Sequence, residues 1–257
     1  MTVKEFLILQ ERRNRWAEQN FIARMGRALS ATIEPLFELI RTDLSSADRR
    51  VDDVLSATQI SNALQWLYVD YGFNHYKWFK SKFNLTKQKV GDDFWQQQLA
   101  ELFAKFGADK VKEIFGTTLE LVRPAIKDAL RMANEGKSIP EIEKAIRSQI
   151  EGVGGVISPG RLRTIARTEV ISASNQASYV AIESVKAMGV EVEKKWTTGG
   201  KNIRPTHKQA EAQGWIGVDD KFKVGAAYMR HPGDPMVKDH PEEVCNCKCI
   251  LLYRVKS

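Results

Sequence analysis

The hydrophobic period of the chain changes at Gly189. Before it, Leu162, Ile165, Ala166, Val170, Ala173, Ala177, Val180, Ala181, Val185 and Met188 recur at helical spacing, in a stretch opened by Ser158 and Pro159. Unbroken, such a helix spans roughly 45 Å at about 1.5 Å per residue. Its alanines permit close approach of another element. After Gly189, "VEVEKKWT" alternates Val190 and Val192 with charge, as a half-buried strand does. "GGKNIRPTHKQAEAQGW" reads as a loop and short helix, and "WIGVDDKFKVG" as short strands around an Asp-Asp turn. "MRHPGDPM" reads as a rigid turn, and "CNCKCILLYRV" as a closing strand. The last third is therefore predicted to be a small α+β unit, one long helix packed on a few short strands.

The first 150 residues read as helical. Phe6, Leu9, Trp16, Phe21 and Met25 follow a helical period, and Ser45 with Asp48 fits a capping box. "ALQWLYVDYGFNHYKWFKSKF" carries Trp66, Tyr68, Tyr71, Phe73, Tyr76, Trp78, Phe79 and Phe83, with Lys77, Lys80 and Lys82 between them. Such a mixture could stack on single-stranded nucleic acid. The preferred reading is a buried helix whose lysines reach water. "GDDFWQQQLAELFAKFG" is predicted to stop at Gly107, Pro124 to kink or break the next helix, and Ser138 with Pro140 to start another. The glycine-rich "EGVGGVISPG" is the best internal boundary, giving a helical region 1–152 and an α+β domain 153–257. The fold class predicted is α+β, mostly α.

Apolar runs are far short of a membrane span, so neither a transmembrane helix nor a membrane partner is expected. The five-residue apolar run near the N-terminus is too short for a signal-peptide core, so synthesis in the cytoplasm is expected. The net charge is +7, with 39 basic and 32 acidic side chains. The surplus is two over residues 1–156 and five over the shorter 157–257. That balance permits nucleic-acid binding without requiring it.

All three cysteines fall in "CNCKC" at Cys245, Cys247 and Cys249. On a regular strand these share a face with sulfurs about 6–7 Å apart, at about 3.3 Å rise per residue. Zinc ligands at about 2.3 Å must converge more closely than that. A disulfide along one strand would be strained. The preferred reading is small apolar thiols packed against the long helix, with no cofactor. A zinc site stays open if the strand bulges, or if a cysteine joins His207, His231 or His240.

The ordered series "ARTEV", "KKW", "IRPTH", "HPGDP" and "NCKC" resembles the phage Mu protein F-like family, also described as head morphogenesis proteins of the SPP1 minor-capsid type. The resemblance covers about 110–255. It implies a minor head protein without enzyme activity, present in few copies at the portal inside the virion. Its implied roles are head assembly, genome packaging or DNA ejection. Implied partners are the portal protein, major capsid or scaffold proteins, and double-stranded DNA. The motif positions carried over are Arg167, Thr168, Glu169, Trp196, Arg204, His207, Pro232, Gly233, Asp234, Pro235, Asn246, Cys247 and Cys249, read as structural. This chain departs from the pattern at "GGKN", where many members have an acidic residue and a threonine, and in its additional Cys245.

Arg161, Arg163 and Arg167 occupy the first turns of the long helix, where positive charge opposes the helix dipole. That placement suggests an anionic partner. Arg161 and Arg163, with Lys194 and Lys195 on the following strand, are the expected DNA contacts, and Arg167 an internal bridge. His207, Arg204 and Glu169 could be staged as acid-base chemistry, but the chain has no nucleophile elbow, phosphate loop or His-Glu-x-x-His motif. Two alternatives remain open: an enzyme on the same module, either a metal-dependent nuclease or a transferase toxin, and a purely structural portal plug.

Overall fold

A computed structural model describes residues 2–82 and 91–256. Phe83 lies outside them. The chain opens on α1 (Val3–Asp43), a 3₁₀ turn (Leu44–Ser46), α2 (Ala47–Val54) and α3 (Thr58–Gln65). A π-helical segment (Trp66–Tyr71) leads into α4 (Gly72–Lys82). Then come α5 (Asp92–Asn134), α6 (Ile139–Glu151) and α7 (Pro159–Lys186). The rest is β1 (Val192–Thr197), α8 (Pro205–Ala212), β2 (Trp215–Gly217), β3 (Phe222–Val224), β4 (Ala227–Met229), α9 (Pro241–Val244) and β5 (Ile250–Val255). The fold is α+β and mostly α, as the change of period predicts.

Two compact units are assembled from separated segments: Met1–Phe21, Gln65–Phe106 and Thr164–Ser257 form the first, and Ile22–Leu64 and Gly107–Arg163 the second. The glycine-rich joint, where the sequence suggests a boundary at 152/153, lies inside the second unit.

In the first unit β1 is the central strand of an antiparallel sheet ordered β2-β1-β5, with Trp196 opposite Leu251 and Lys194 opposite Tyr253. β3 and β4 form a separate hairpin. Ala177, Val180, Ala181 and Val185 of α7 pack with Trp196, Leu251, Tyr253, Phe222 and Met229 into one core, joined by Phe6, Tyr76 and Phe79. From Thr168 to Ile182 every residue of α7 is buried, so the helix has no solvent face there. Its polar residues bond locally instead: the Ser174 hydroxyl donates to the Val170 carbonyl at 2.8 Å, and Ser178 to that of Ser174 at 3.0 Å. The aromatic segment is a buried one, as expected. Trp78 stacks on Phe6 at 5.6 Å, and Phe79 meets Tyr253 edge-on at 5.6 Å. Lys77 and Lys82 reach water, whereas Lys80 is buried with its ammonium 5.1 Å from the Tyr76 ring.

In the second unit α6 buries Ile142, Ile146 and Ile150, one face at helical spacing. The Arg41 guanidinium is bidentate on Glu143 at 2.9 and 2.7 Å, and Arg147 lies 3.9 Å over the Phe37 ring. Ser138 starts α6 as expected, its N–H donating to the Glu141 carboxylate at 2.9 Å. Two expectations are corrected. Ser45 and Asp48 form no capping box: α2 starts at Ala47, and the Asp43 carboxylate takes the hydroxyls of Ser45 and Ser46. Neither Gly107 nor Pro124 ends a helix, because α5 runs through both for 43 residues. A mid-helix glycine costs only about 1 kcal/mol and proline about 3 kcal/mol. The burial of Val122, Ala125, Ile126 and Ala129 around Pro124 offsets such a cost.

Candidate site at the closing cysteine turn

The closing strand does not include the cysteines. α9 ends at Val244, β5 begins at Ile250, and Asn246 between them is left-handed at φ 56°. Asparagine tolerates that region better than most residues. The α7 helix fixes the turn. Asn246 N–H donates to Thr168 Oγ1 at 2.8 Å, and Asn246 Oδ1 accepts from Arg167 Nη1 at 2.8 Å. Two helical turns on from these, the buried Asn175 amide donates to the carbonyls of Cys249 and Pro232, both at 3.1 Å, and accepts from Leu251 N–H at 3.1 Å.

With the strand period broken, Cys247 and Cys249 converge. Cys249 N–H donates to Cys247 Sγ at 3.3 Å. His207, in the first turn of α8, brings Nδ1 to 3.3 Å from Cys249 Sγ and 3.6 Å from Cys247 Sγ. The imidazole nitrogen and both sulfurs lie within 4.8 Å of one another, and all three residues are buried. Nε2 of His207 is 3.1 Å from Glu243 Oε2, but its N–H is not aligned on the oxygen, so this contact is electrostatic rather than a hydrogen bond. Glu243 is itself held by the Thr206 hydroxyl at 2.8 Å. The hydrogen bond between the two thiols raises the Cys247 pKa, as burial does; the same bond lowers that of Cys249 against its burial, and His207 lowers it further. The Gly199–Gly200 loop lies against this turn: a Cβ on Gly199 would sit 2.2 Å from the Lys248 carbonyl oxygen. A cavity of about 490 Å³ opens beside the group, lined by Arg167, Lys201, Arg204 and Lys248 against one acid, Glu11.

The Pro232-Gly233-Asp234-Pro235 turn is a second buried assembly. Gly233, at φ +69°, brings backbone onto α7, where a Cβ would meet Ser172 Cα at 3.2 Å. The Asp234 carboxylate accepts from the Arg230 side chain at 2.9 and 2.6 Å and from the N–H of Arg230 and Met236. Burial opposes its charge, but the Arg230 bonds win and hold it well below the usual carboxylate range. His231 bonds Gln176 Oε1 at 3.1 Å, and burial lowers its pKa to about 4. Glu169 takes the Tyr68 hydroxyl at 2.6 Å, and Trp196 meets His207 edge-on at 5.3 Å.

Four sequence expectations change. Lys194 presents no charge to DNA: it is fully buried and donates to the Arg230 carbonyl at 2.9 Å, and burial lowers its pKa to about 8. It shares the inward face of β1 with Val192 and Trp196. Arg161 is occupied within its own unit by the carbonyls of Val156 and Ile114 and the hydroxyls of Thr117 and Thr118, at 2.8 to 3.1 Å. Arg163 is exposed and Lys195 half-buried. The cysteines' even spacing along a strand is replaced by convergence in a turn. Cys245 is outside the convergent group, as are His231 in its own network and His240, which pairs with Glu242 at 3.0 Å. Acid-base staging of Glu169 with His207 has no support either, since Glu169 serves Tyr68 and the carboxylate facing His207 is Glu243. The sequence carried no signal for Glu243, which chain topology brings to His207 and its neighbour Thr206.

No helix among the described residues is long and apolar enough to cross a membrane. No solved structure matches the chain. The NAD(+)–arginine ADP-ribosyltransferase EFV of Enterococcus faecalis is similar, 27% identical over 142 residues, which are 55% of this chain and 27% of that protein. The chain thus spans about a quarter of the length of that curated relative. The family described as phage Mu protein F like protein matches residues 122–252, just over half of the chain. The match takes in the helix α7, the Pro-Gly-Asp-Pro turn and the cysteine turn together, and the chain belongs to the phage Mu protein F like family, a family of phage head proteins.

Proposed function

We propose that this chain is a minor head protein of a tailed phage, seated at the portal inside the capsid, where its basic side contacts the packaged genome without reading sequence. The family match over 122–252 carries the head assignment. The DNA contact is supported by the cavity rim, where Lys201 and Lys248 are exposed and Arg167 and Arg204 half-buried. Flexible exposed lysines suit phosphate neutralisation, which releases counterions and makes affinity fall steeply with salt. Lys195, half-buried in the same unit, adds to the basic set, and Arg163 is an exposed cation of the second unit. A mobility-shift series on random-sequence duplexes tests this. Binding at low salt, weakened by Lys201→Glu with Lys248→Glu, is expected; a folded chain that binds no DNA at low salt removes the genome contact and leaves a structural plug.

A second reading, a transferase, rests on the similarity to the Enterococcus faecalis enzyme. The shared stretch is about a quarter of that protein, so we read it as a common module rather than as transferase machinery. Incubating the chain with NAD⁺ and arginine-rich acceptors checks this: no nicotinamide release is expected, and release dependent on the folded chain would favour the enzyme.

A further inference from the structure

We propose that His207, Cys247 and Cys249 form a three-ligand site for a soft divalent cation, zinc by the chemistry of the donor set, with a fourth coordination position facing the cavity. The inference is independent of the head assignment and of DNA contact. Two thiol sulfurs and one imidazole nitrogen are the donors zinc prefers, and no hard oxygen ligand completes the group for magnesium or calcium. Tetrahedral zinc, with sulfur at about 2.3 Å and nitrogen at about 2.0 Å, needs each nitrogen–sulfur edge to be about 3.6 Å. The two edges here are 3.3 and 3.6 Å.

The surroundings also match what a metal-bound imidazole requires. Nδ1 faces both sulfurs while Nε2 faces Glu243 at 3.1 Å, and Glu243 is fixed by Thr206. The negative charge of a carboxylate behind a ligating histidine favours the tautomer with the proton on the far nitrogen and the lone pair on the near one. Packed thiols alone would give no reason for an imidazole to aim one nitrogen at two sulfurs and the other at a buried acid. The cysteine turn is rigid because Thr168, Arg167 and Asn175 hold it from α7, so the ligands are preorganised. On one side the group borders the cavity of about 490 Å³, which admits water as the fourth ligand. Binding transfers thiol protons to solvent as the thiolates take the cation, so affinity rises with pH.

The test is cobalt(II) titration of the wild-type chain after chelator treatment, followed by zinc. The proposal expects one equivalent of cobalt with a thiolate charge-transfer band and intense tetrahedral d–d bands, both erased by zinc. Cys247→Ser, Cys249→Ser and His207→Gln each lose the spectrum, and Cys245→Ser keeps it. Glu243→Gln keeps one equivalent but weakens affinity about 10- to 100-fold. Because ligand variants risk misfolding, the wild-type titration decides. A chain with native circular dichroism that takes up no cobalt overturns the proposal, as does a spectrum that needs Cys245. A Cys247–Cys249 disulfide found by thiol counting, with no bound metal, overturns it too.

Discussion

Asn246 shows how one backbone choice decides what the cysteines do. Its left-handed conformation at φ 56° breaks the strand period that would otherwise separate the sulfurs. A β-branched residue there is strained by about 1–2 kcal/mol and also loses the bond to Arg167. Asn246→Val is therefore expected to lower stability by about 2–3 kcal/mol in urea unfolding, and Asn246→Gly by about 1 kcal/mol, since glycine keeps the conformation and loses only the side-chain bond. Lys194 is the second decisive residue. Its positive charge in the sequence suggests a DNA contact, but the alternation of Val192, Lys194 and Trp196 puts it inside. Lys194→Met is expected to leave DNA affinity unchanged in the mobility-shift series, whereas Lys201→Glu lowers the salt slope by about one. Burial lowers the Lys194 pKa from 10.5 to about 8, so the folded chain binds fewer protons than the unfolded one between those values. Its burial thus costs stability at neutral pH, and wild type gains stability as pH rises from 8 towards 10.5; the Met variant lacks that gain.

At the scale of elements, α7 is the organiser. Asn175 alone links the Pro-Gly-Asp-Pro turn, the cysteine turn and the start of β5. Replacing it with leucine strands three buried backbone groups, with an expected loss of about 3–5 kcal/mol by denaturant unfolding. The helix itself was legible in its apolar stripe, and so were its start at Ser158, its stop near Gly189 and the change to strand period beyond. Its burial on every face was not, because Ser172, Asn175 and Gln176 look like a solvent face until partners from distant segments are in place. α5 departs from its sequence signals in the opposite direction. Gly107 and Pro124 are local stop signals, and tertiary burial of the same helix overrides them. Convergence of His207 on the two thiols was illegible for a related reason. The 3.3 Å contact joins residues 42 apart in the chain, and only the break in β period at Asn246 makes it possible.

For the whole molecule, buried histidines set the acid response. Burial depresses His75 to about 3 and His231 to about 4, from 6.5. Both are neutral in the folded chain, so their stabilising contribution is complete above pH 6.5 and is lost as pH falls from there through 4 and 3. Stability is expected to fall by about 1.4 kcal/mol per pH unit for each histidine inside its window, and His75→Gln should remove one such increment in urea unfolding between pH 6 and 4. Family membership and a basic rim on the first unit support the proposed role inside a phage head. Cryo-electron microscopy of particles carrying a tagged copy of this chain, before and after DNA release, tests that role most directly. Density for the tag is expected inside the capsid at the portal vertex of full particles. Purified infectious particles that contain none of the chain would contradict it.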